Sequence, residues 1–237
     1  MKRLAETILF SFFVSLSMVV LDAFYHLATE TAVHILYVAV KFTIIFILVF
    51  LVAYWVGKGA VDGLFTSIAG PVIFYIYYIF ANPTLNRQIF KIDENFGYIF
   101  VHIAALLISY FFVYHFWYRK KGSGLEKSLA YAFVVSLCIW GLNAGYQMAY
   151  AQLTTHNEEE VARLLSFAPS IYLAGIFFAL AFLSNFFIKS RNIEMILLVL
   201  GSSLAVYFMG HSMINSFAGI AAAFVPAFLA KVYFNEK

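Results

Sequence analysis

The feature that most constrains this chain is a succession of long apolar segments with short polar breaks between them. A helix needs about 20 mostly apolar residues to cross a bilayer. The segments that meet this length are 6–27, 33–56, 61–81, 96–118, 128–150, 165–188 and the long stretch 193–233. The last stretch is too long for one span, and a turn at Gly210-His211-Ser212 divides it into 193–209 and 213–232. The sequence predicts an all-α, polytopic transmembrane helical bundle of about eight spans, with seven spans or a re-entrant last pair as alternatives.

The composition excludes a water-soluble globule. Charged residues make up 11% of the chain and hydrophobic residues 64%, whereas a soluble domain has roughly 25% charged residues. No stretch between the apolar segments is long enough for a soluble domain, so we expect one transmembrane domain, 1–237. The single cysteine, Cys138, excludes an internal disulfide and a cysteine-based metal site. The small net charge of +3 gives no indication of a nucleic-acid partner.

The basic residues predict the sidedness of the chain. If the N-terminus is cytoplasmic, eleven Lys and Arg residues fall on the cytoplasmic side and three on the other side. Such an excess is the usual cytoplasmic bias of membrane proteins. Lys231 and Lys237 join the cytoplasmic set only with eight spans. We therefore predict a multi-pass integral membrane protein with both termini in the cytoplasm.

Most polar groups within the apolar segments fall in the half of the bilayer away from the cytoplasm. Polar and ionisable side chains are costly there and usually have a functional reason. The set comprises Asp22, His26, His34, Lys41, His102, Asn143, Gln147, Ser170 and His211. This asymmetry predicts a polar pocket open to the outer half of the bilayer. The small residues Gly141, Gly145, Ala174 and Gly175 are expected to bring helices close together beside it.

Two of these residues are expected to form an ion pair. Asp22 and Lys41 face each other if the first two segments form a hairpin, and the Lys41 side chain can extend outward to the carboxylate. The pair is either structural or, with His102, part of a proton or cation relay. The relay predicts a small-molecule or ion/proton transporter.

The histidines offer a third chemistry. Asp22 and His26 are four residues apart, which places them on one helix face, and His34, His102 and His211 are further metal-ligand candidates. Zinc with three protein ligands and an open position would make an intramembrane hydrolase. The chain has no HxxxH and no other catalytic motif, so the sequence does not favour an enzyme, and it calls for no cofactor. Glu194 is expected to cap the N-terminus of its helix.

Several short motifs resemble the Insig family of sterol-sensing membrane proteins. They are Lys91-Ile92-Asp93, the basic loop from Trp117 to Gly124, Asn143-Ala144-Gly145-Tyr146-Gln147, and the segment from Ser166 to Gly175. The resemblance covers roughly residues 90–188. It implies a helical bundle with a central, lipid-accessible pocket for a sterol or a diacylglycerol-like lipid.

The leading hypothesis is therefore a non-enzymatic protein that binds an amphipathic lipid. We expect the lipid headgroup at Asn143, Tyr146, Gln147 and Ser170, with His102, Asp22 and Lys41 as further contacts. The expected partners are membrane lipids and, as an option, a second copy of the chain. The sequence points to no other protein partner.

Overall fold

The computed structural model describes residues 2–29, 35–81, 96–118, 124–154, 167–188, 190–210 and 213–233. These residues form eight α-helices and one π-helical turn. The helices are α1 (Lys2–Ala28), α2 (Ile35–Leu51), α3 (Ala60–Ala81), α4 (Phe96–Tyr118), α5 (Gly124–Thr154), α6 (Phe167–Phe187), α7 (Arg191–Gly210) and α8 (Met213–Tyr233).

The predicted all-α architecture is confirmed, and each predicted apolar segment contains one helix. Among the described residues, six helices contain a stretch long and apolar enough to cross a membrane. The apolar stretches of α4 and α8, Ile99–His115 and Gly219–Leu229, are shorter. The structure therefore supports a helical membrane protein, while the count of eight spans and the cytoplasmic termini stay predictions.

Large apolar side chains cover much of the outer surface of the helices. Trp55, Val61 and Phe80 are 75%, 80% and 79% exposed. Along α2, rings four residues apart stack in a ladder, for example Phe42 on Phe46 with centroids 5.9 Å apart. A water-soluble monomer rarely exposes apolar patches of this extent. A bilayer is the environment in which such a surface is stable.

Contacts divide the chain into two compact units. Unit 1 comprises residues 1–22 and 36–117, and unit 2 comprises residues 23–35 and 118–237. Unit 1 contains most of α1, together with α2, α3 and α4, and unit 2 contains α5 to α8. This division does not decide whether the two units fold as one domain, so the single-domain organisation stays a prediction.

The core of unit 1 is built around an aromatic pair and two glycines. The Tyr110 ring is 1% exposed and packs edge-on against Phe10, with centroids 5.3 Å apart. Gly63 on α3 lies so close to Tyr110 that a Cβ there would overlap the ring. Gly70, two turns further along α3, approaches Ile45 in the same way: a Cβ there would lie 2.9 Å from its Cδ1. Glycine therefore sets the distance of α3 from α2 and α4.

The prediction that Gly145 and Gly175 bring helices together is wrong. A Cβ added at either position would meet no atom of the described residues within 4 Å. In unit 2, close approaches lie instead at α7. A Cβ at Gly201 on α7 would be 3.0 Å from Leu180 Cδ1 on α6, and one at Gly219 on α8 would be 3.3 Å from the Cα of Ser203 on α7. The sequence shows which residues are small, but not which of them faces a neighbouring helix.

A π-helical turn, Val52–Val56, ends α2. Gly57 follows it with φ of 148°, a conformation that glycine adopts without strain, and its N–H donates to the Val52 carbonyl over 3.0 Å. Beside this turn, the Lys58 ammonium lies 5.6 Å from the centroid of the Phe10 ring. Burial lowers the pKa of Lys58, Glu6 raises it, and Arg3 lowers it further. Lys58 is thus a half-buried lysine at one end of unit 1.

Candidate functional site

Lys41 is a lysine buried completely inside unit 1. It lies in the first half of α2 and has 0% exposure. Its Nζ donates a hydrogen bond to Asp22 Oδ2, and Asp22 on α1 is itself 2% exposed. The predicted ion pair between these two residues is present. Charges are almost never fully buried without such a partner.

His102 on α4 completes the cluster. Its Nε2 lies 2.6 Å from Asp22 Oδ1 and 2.9 Å from Lys41 Nζ. One ring nitrogen thus faces a proton donor on one side and a proton acceptor on the other. When the ring carries its hydrogen on Nδ1, Nε2 accepts from Lys41; when Nε2 carries a hydrogen, it donates to Asp22. Moving one proton therefore exchanges the partner of this nitrogen.

Two aromatic rings enclose the Lys41 ammonium group. Nζ lies 4.1 Å from the centroid of Tyr37 and 5.0 Å from that of Phe74. Both distances are within the range of a cation–π interaction. The Phe74 ring also packs edge-on against His102, with centroids 6.3 Å apart. We call Asp22, His102, Tyr37 and Phe74 the ammonium cage.

Neither ring of the ammonium cage is among the site residues predicted from the sequence. Tyr37 could have been found, because it precedes Lys41 by four residues and so shares its helix face. Phe74 could not have been found in this way. It is one of 28 phenylalanines, and it lies on α3, a helix on which no site residue was predicted.

The other predicted metal ligands are only partly described. His26 is buried on α1, one helical turn after Asp22. His34 and His211 lie outside the described residues, so the prediction that they join a metal site stays a prediction. A zinc ion at Asp22 Oδ2 or His102 Nε2 would compete with the Lys41 ammonium, which contacts both atoms. The geometry around His102 is that of an ion-pair cluster with aromatic walls.

The predicted lipid-headgroup residues lie in unit 2. Asn143 is 2% exposed, Gln147 is partly exposed, and Tyr146 is 40% exposed. The Trp140 indole N–H donates to the Ser170 carbonyl oxygen over 3.1 Å, which joins α5 to α6 one turn before Asn143. Asn143 Oδ1 has no hydrogen-bond partner among the described residues. Asp22, Lys41 and His102 belong to unit 1 instead.

A second polar network lies in unit 2. Ser128 Oγ on α5 donates to Asn185 Oδ1 on α6 over 2.9 Å, and Asn185 Nδ2 donates to Glu194 Oε1 on α7 over 3.0 Å. The Tyr131 hydroxyl also donates to the Glu194 carboxylate. Glu194 is in the first turn of α7, as expected of a cap. Its carboxylate, however, connects three helices rather than one helix end.

No protein-family model, curated protein or solved structure matches this chain. The resemblance to the Insig family stays a prediction from the sequence.

Proposed function

We propose that this membrane protein is a transporter that moves protons through a relay of Lys41, His102 and Asp22. The observation that carries the proposal is the position of His102 Nε2, within hydrogen-bond distance of both Lys41 Nζ and Asp22 Oδ1. A structural ion pair needs only Asp22 and Lys41. The imidazole adds a nitrogen that can accept a proton from one neighbour and donate one to the other.

The transfer step conserves charge within the cluster. A proton passes from the Lys41 ammonium to the His102 Nε2 lone pair that accepts its hydrogen bond, which leaves a neutral amine and an imidazolium. The imidazolium N–H then donates to Asp22 Oδ1. One positive charge stays beside the carboxylate in both states, which avoids the high cost of an isolated buried charge. Lys41 takes up a new proton before His102 releases the transferred one, so the carboxylate keeps a positive neighbour through the cycle.

Proton flux into liposomes tests this proposal. Purified protein is reconstituted with a pH-sensitive dye inside the vesicles, and a pH step is applied outside. We expect dye responses well above those of protein-free vesicles, and their loss in Lys41→Met. Lys58→Met is the matched control, because Lys58 is also near an aromatic ring but outside the cluster. Flux that is equal in wild type and Lys41→Met would refute the relay.

A second candidate function is binding of an amphipathic lipid by unit 2. The observation in its favour is Asn143, whose buried Oδ1 has no hydrogen-bond donor among the described residues. A buried carbonyl oxygen usually has a partner, and the hydroxyl of a sterol or diacylglycerol is a donor of the right kind. The resemblance to the Insig family at residues 90–188 implies the same ligand class.

Native mass spectrometry tests the second candidate. Lipid binding predicts one lipid retained per chain in wild type and lost in Asn143→Leu, with the same change at the exposed Asn192 as control. Equal lipid retention in the two variants would contradict it. Metal analysis of the same samples addresses the hydrolase: zinc at one ion per chain, lost in His102→Ala, would favour a metal site over both candidates.

A further inference from the structure

The surroundings of Lys41 Nζ have the chemistry of a binding site for a primary ammonium group. An ammonium group has three N–H donors and no acceptor. The cage presents two acceptors to it, Asp22 Oδ2 and His102 Nε2, and the faces of Tyr37 and Phe74. The group is fully enclosed, with Lys41 at 0% exposure. Lys41 thus occupies this site with its own side chain.

The same surroundings suit a metal cation poorly. Hard cations such as Ca²⁺ and Mg²⁺ are bound by six or more oxygens, and K⁺ is bound in channels by rings of carbonyl oxygens. Among the described residues of the cage, one carboxylate supplies the charged oxygens, and two sides are ring faces. Aromatic faces are a recurring means of recognising organic ammonium ions.

We propose that the ammonium cage is a substrate site for a small ammonium ion, such as ammonium itself or methylammonium, which takes the place of the Lys41 ammonium group. This inference rests on the proposed transport function and names its substrate class. Lys41 first gives up its proton through His102, so the incoming ion restores the positive charge beside the Asp22 carboxylate and Lys41 stays as a neutral amine rather than a second buried charge. The rings of Tyr37 and Phe74 would contact a bound ammonium ion as they contact Lys41 Nζ. A ring face attracts the positive charge and the N–H groups, which both cations have, and does not require the lysine methylene groups.

Direct binding to a truncated variant is the first test. Lys41→Ala removes the ammonium and three methylene groups, which leaves space inside the cage. Equilibrium dialysis with radiolabelled methylammonium should show one saturable site in purified Lys41→Ala, with n-propylammonium as a competitor and Na⁺ without effect. Binding should be weaker in Lys58→Ala, where the Lys41 ammonium competes for the cage, and lost in the double variant Lys41→Ala/Asp22→Asn. No saturable binding, or equal binding in Lys58→Ala, would overturn the inference.

Uptake by the wild-type protein is the second test, and it needs no truncated variant to fold. Proteoliposomes are given radiolabelled methylammonium at pH 6, where little of the membrane-permeable free amine exists, with protein-free liposomes as background. We expect saturable uptake by wild type, reduced about tenfold in Phe74→Leu because one cation–π contact is lost. Proton flux without methylammonium uptake would overturn this inference and leave the proton relay intact. Absence of both fluxes would refute the proposed function as well.

Discussion

At the residue scale, Lys41 and Asp22 depend on each other because both charges are out of contact with solvent. Removing water from two charges is costly, and the attraction between them offsets that cost only while both are present. His102 and the rings of Tyr37 and Phe74 satisfy the remaining sides of the ammonium group. Ionisable groups inside membrane segments are rare and usually functional. The cluster is therefore the position in unit 1 at which single substitutions have the largest expected effects.

A double-mutant cycle measures this dependence. Lys41→Met leaves the Asp22 carboxylate alone in an apolar site and should lower the free energy of unfolding by about 3–5 kcal/mol. Asp22→Leu should have a similar effect, because it isolates the ammonium. The double variant should recover most of the loss, since neither charge remains. Unfolding in detergent by a chemical denaturant provides the measurement, and additive losses in the double variant would show that the two residues do not interact.

The ion pair between Asp22 and Lys41 could be predicted from the sequence. Of the side chains around it, only some could be predicted. Asp22 and Lys41 are charged residues in adjacent apolar segments, and each needs a partner, so hairpin topology alone pairs them. His102 could be proposed as a partner because it is an ionisable group on the same predicted side. Phe74 could not be proposed as a partner, because its contact with Lys41 depends on how α3 is rotated about its axis. A helix that is apolar on all faces gives no indication of that rotation.

At the element scale, contacts at glycines determine how closely the helices of unit 1 pack. The Tyr110 ring fills the space over Gly63 and is itself fixed against Phe10. Protein interiors are packed densely enough that one added methyl group is felt. The sequence did not reveal this contact, because Gly63 is one of 13 glycines. Two of the four small residues predicted to bring helices close, Gly145 and Gly175, have no atom of the described residues within 4 Å of an added Cβ.

A pair of alanine substitutions tests the packing of α3 against α4. Gly63→Ala should destabilise the protein by about 1–3 kcal/mol, because the new Cβ overlaps the buried Tyr110 ring. Gly175→Ala should be neutral or stabilise by about 0.5–1 kcal/mol, because alanine is the better helix former and has room. Thermal unfolding of both variants in the same detergent checks the contrast, and equal melting temperatures would contradict the described packing.

The polar network of unit 2 connects helices through Asn185. This side chain accepts from Ser128 on α5 and donates to Glu194 on α7. Asn185→Leu removes both bonds and leaves a buried carboxylate with fewer donors, so it should cost about 1–3 kcal/mol of stability. Asn192→Leu, on an exposed position of α7, is the matched control and should change stability little. Denaturant unfolding compares the two, and a silent Asn185→Leu would show that the network contributes nothing measurable.

At the scale of the whole molecule, the helices follow directly from the sequence, but their pairing does not. A long apolar segment has to be helical in a bilayer because only a helix satisfies all backbone groups within one segment. For this reason the eight predicted segments each contain a helix. The division into two units depends on which faces meet, and segments that are apolar all round carry little information about their faces. The polar residues predicted to line one outer pocket belong to both units, and that pocket stays a prediction.

The most direct test of the relay compares two histidines of α4 in reconstituted protein. Solid-supported-membrane electrophysiology records the current that follows a rapid pH step. The relay predicts a proton current in wild type that is abolished in His102→Gln, where the amide cannot carry a proton through the cycle. His115→Gln, on the same helix and outside the cluster, should keep the wild-type current. A His102→Gln current equal to that of wild type would contradict a role for the cluster in proton transfer and leave Asp22 and Lys41 as a structural ion pair.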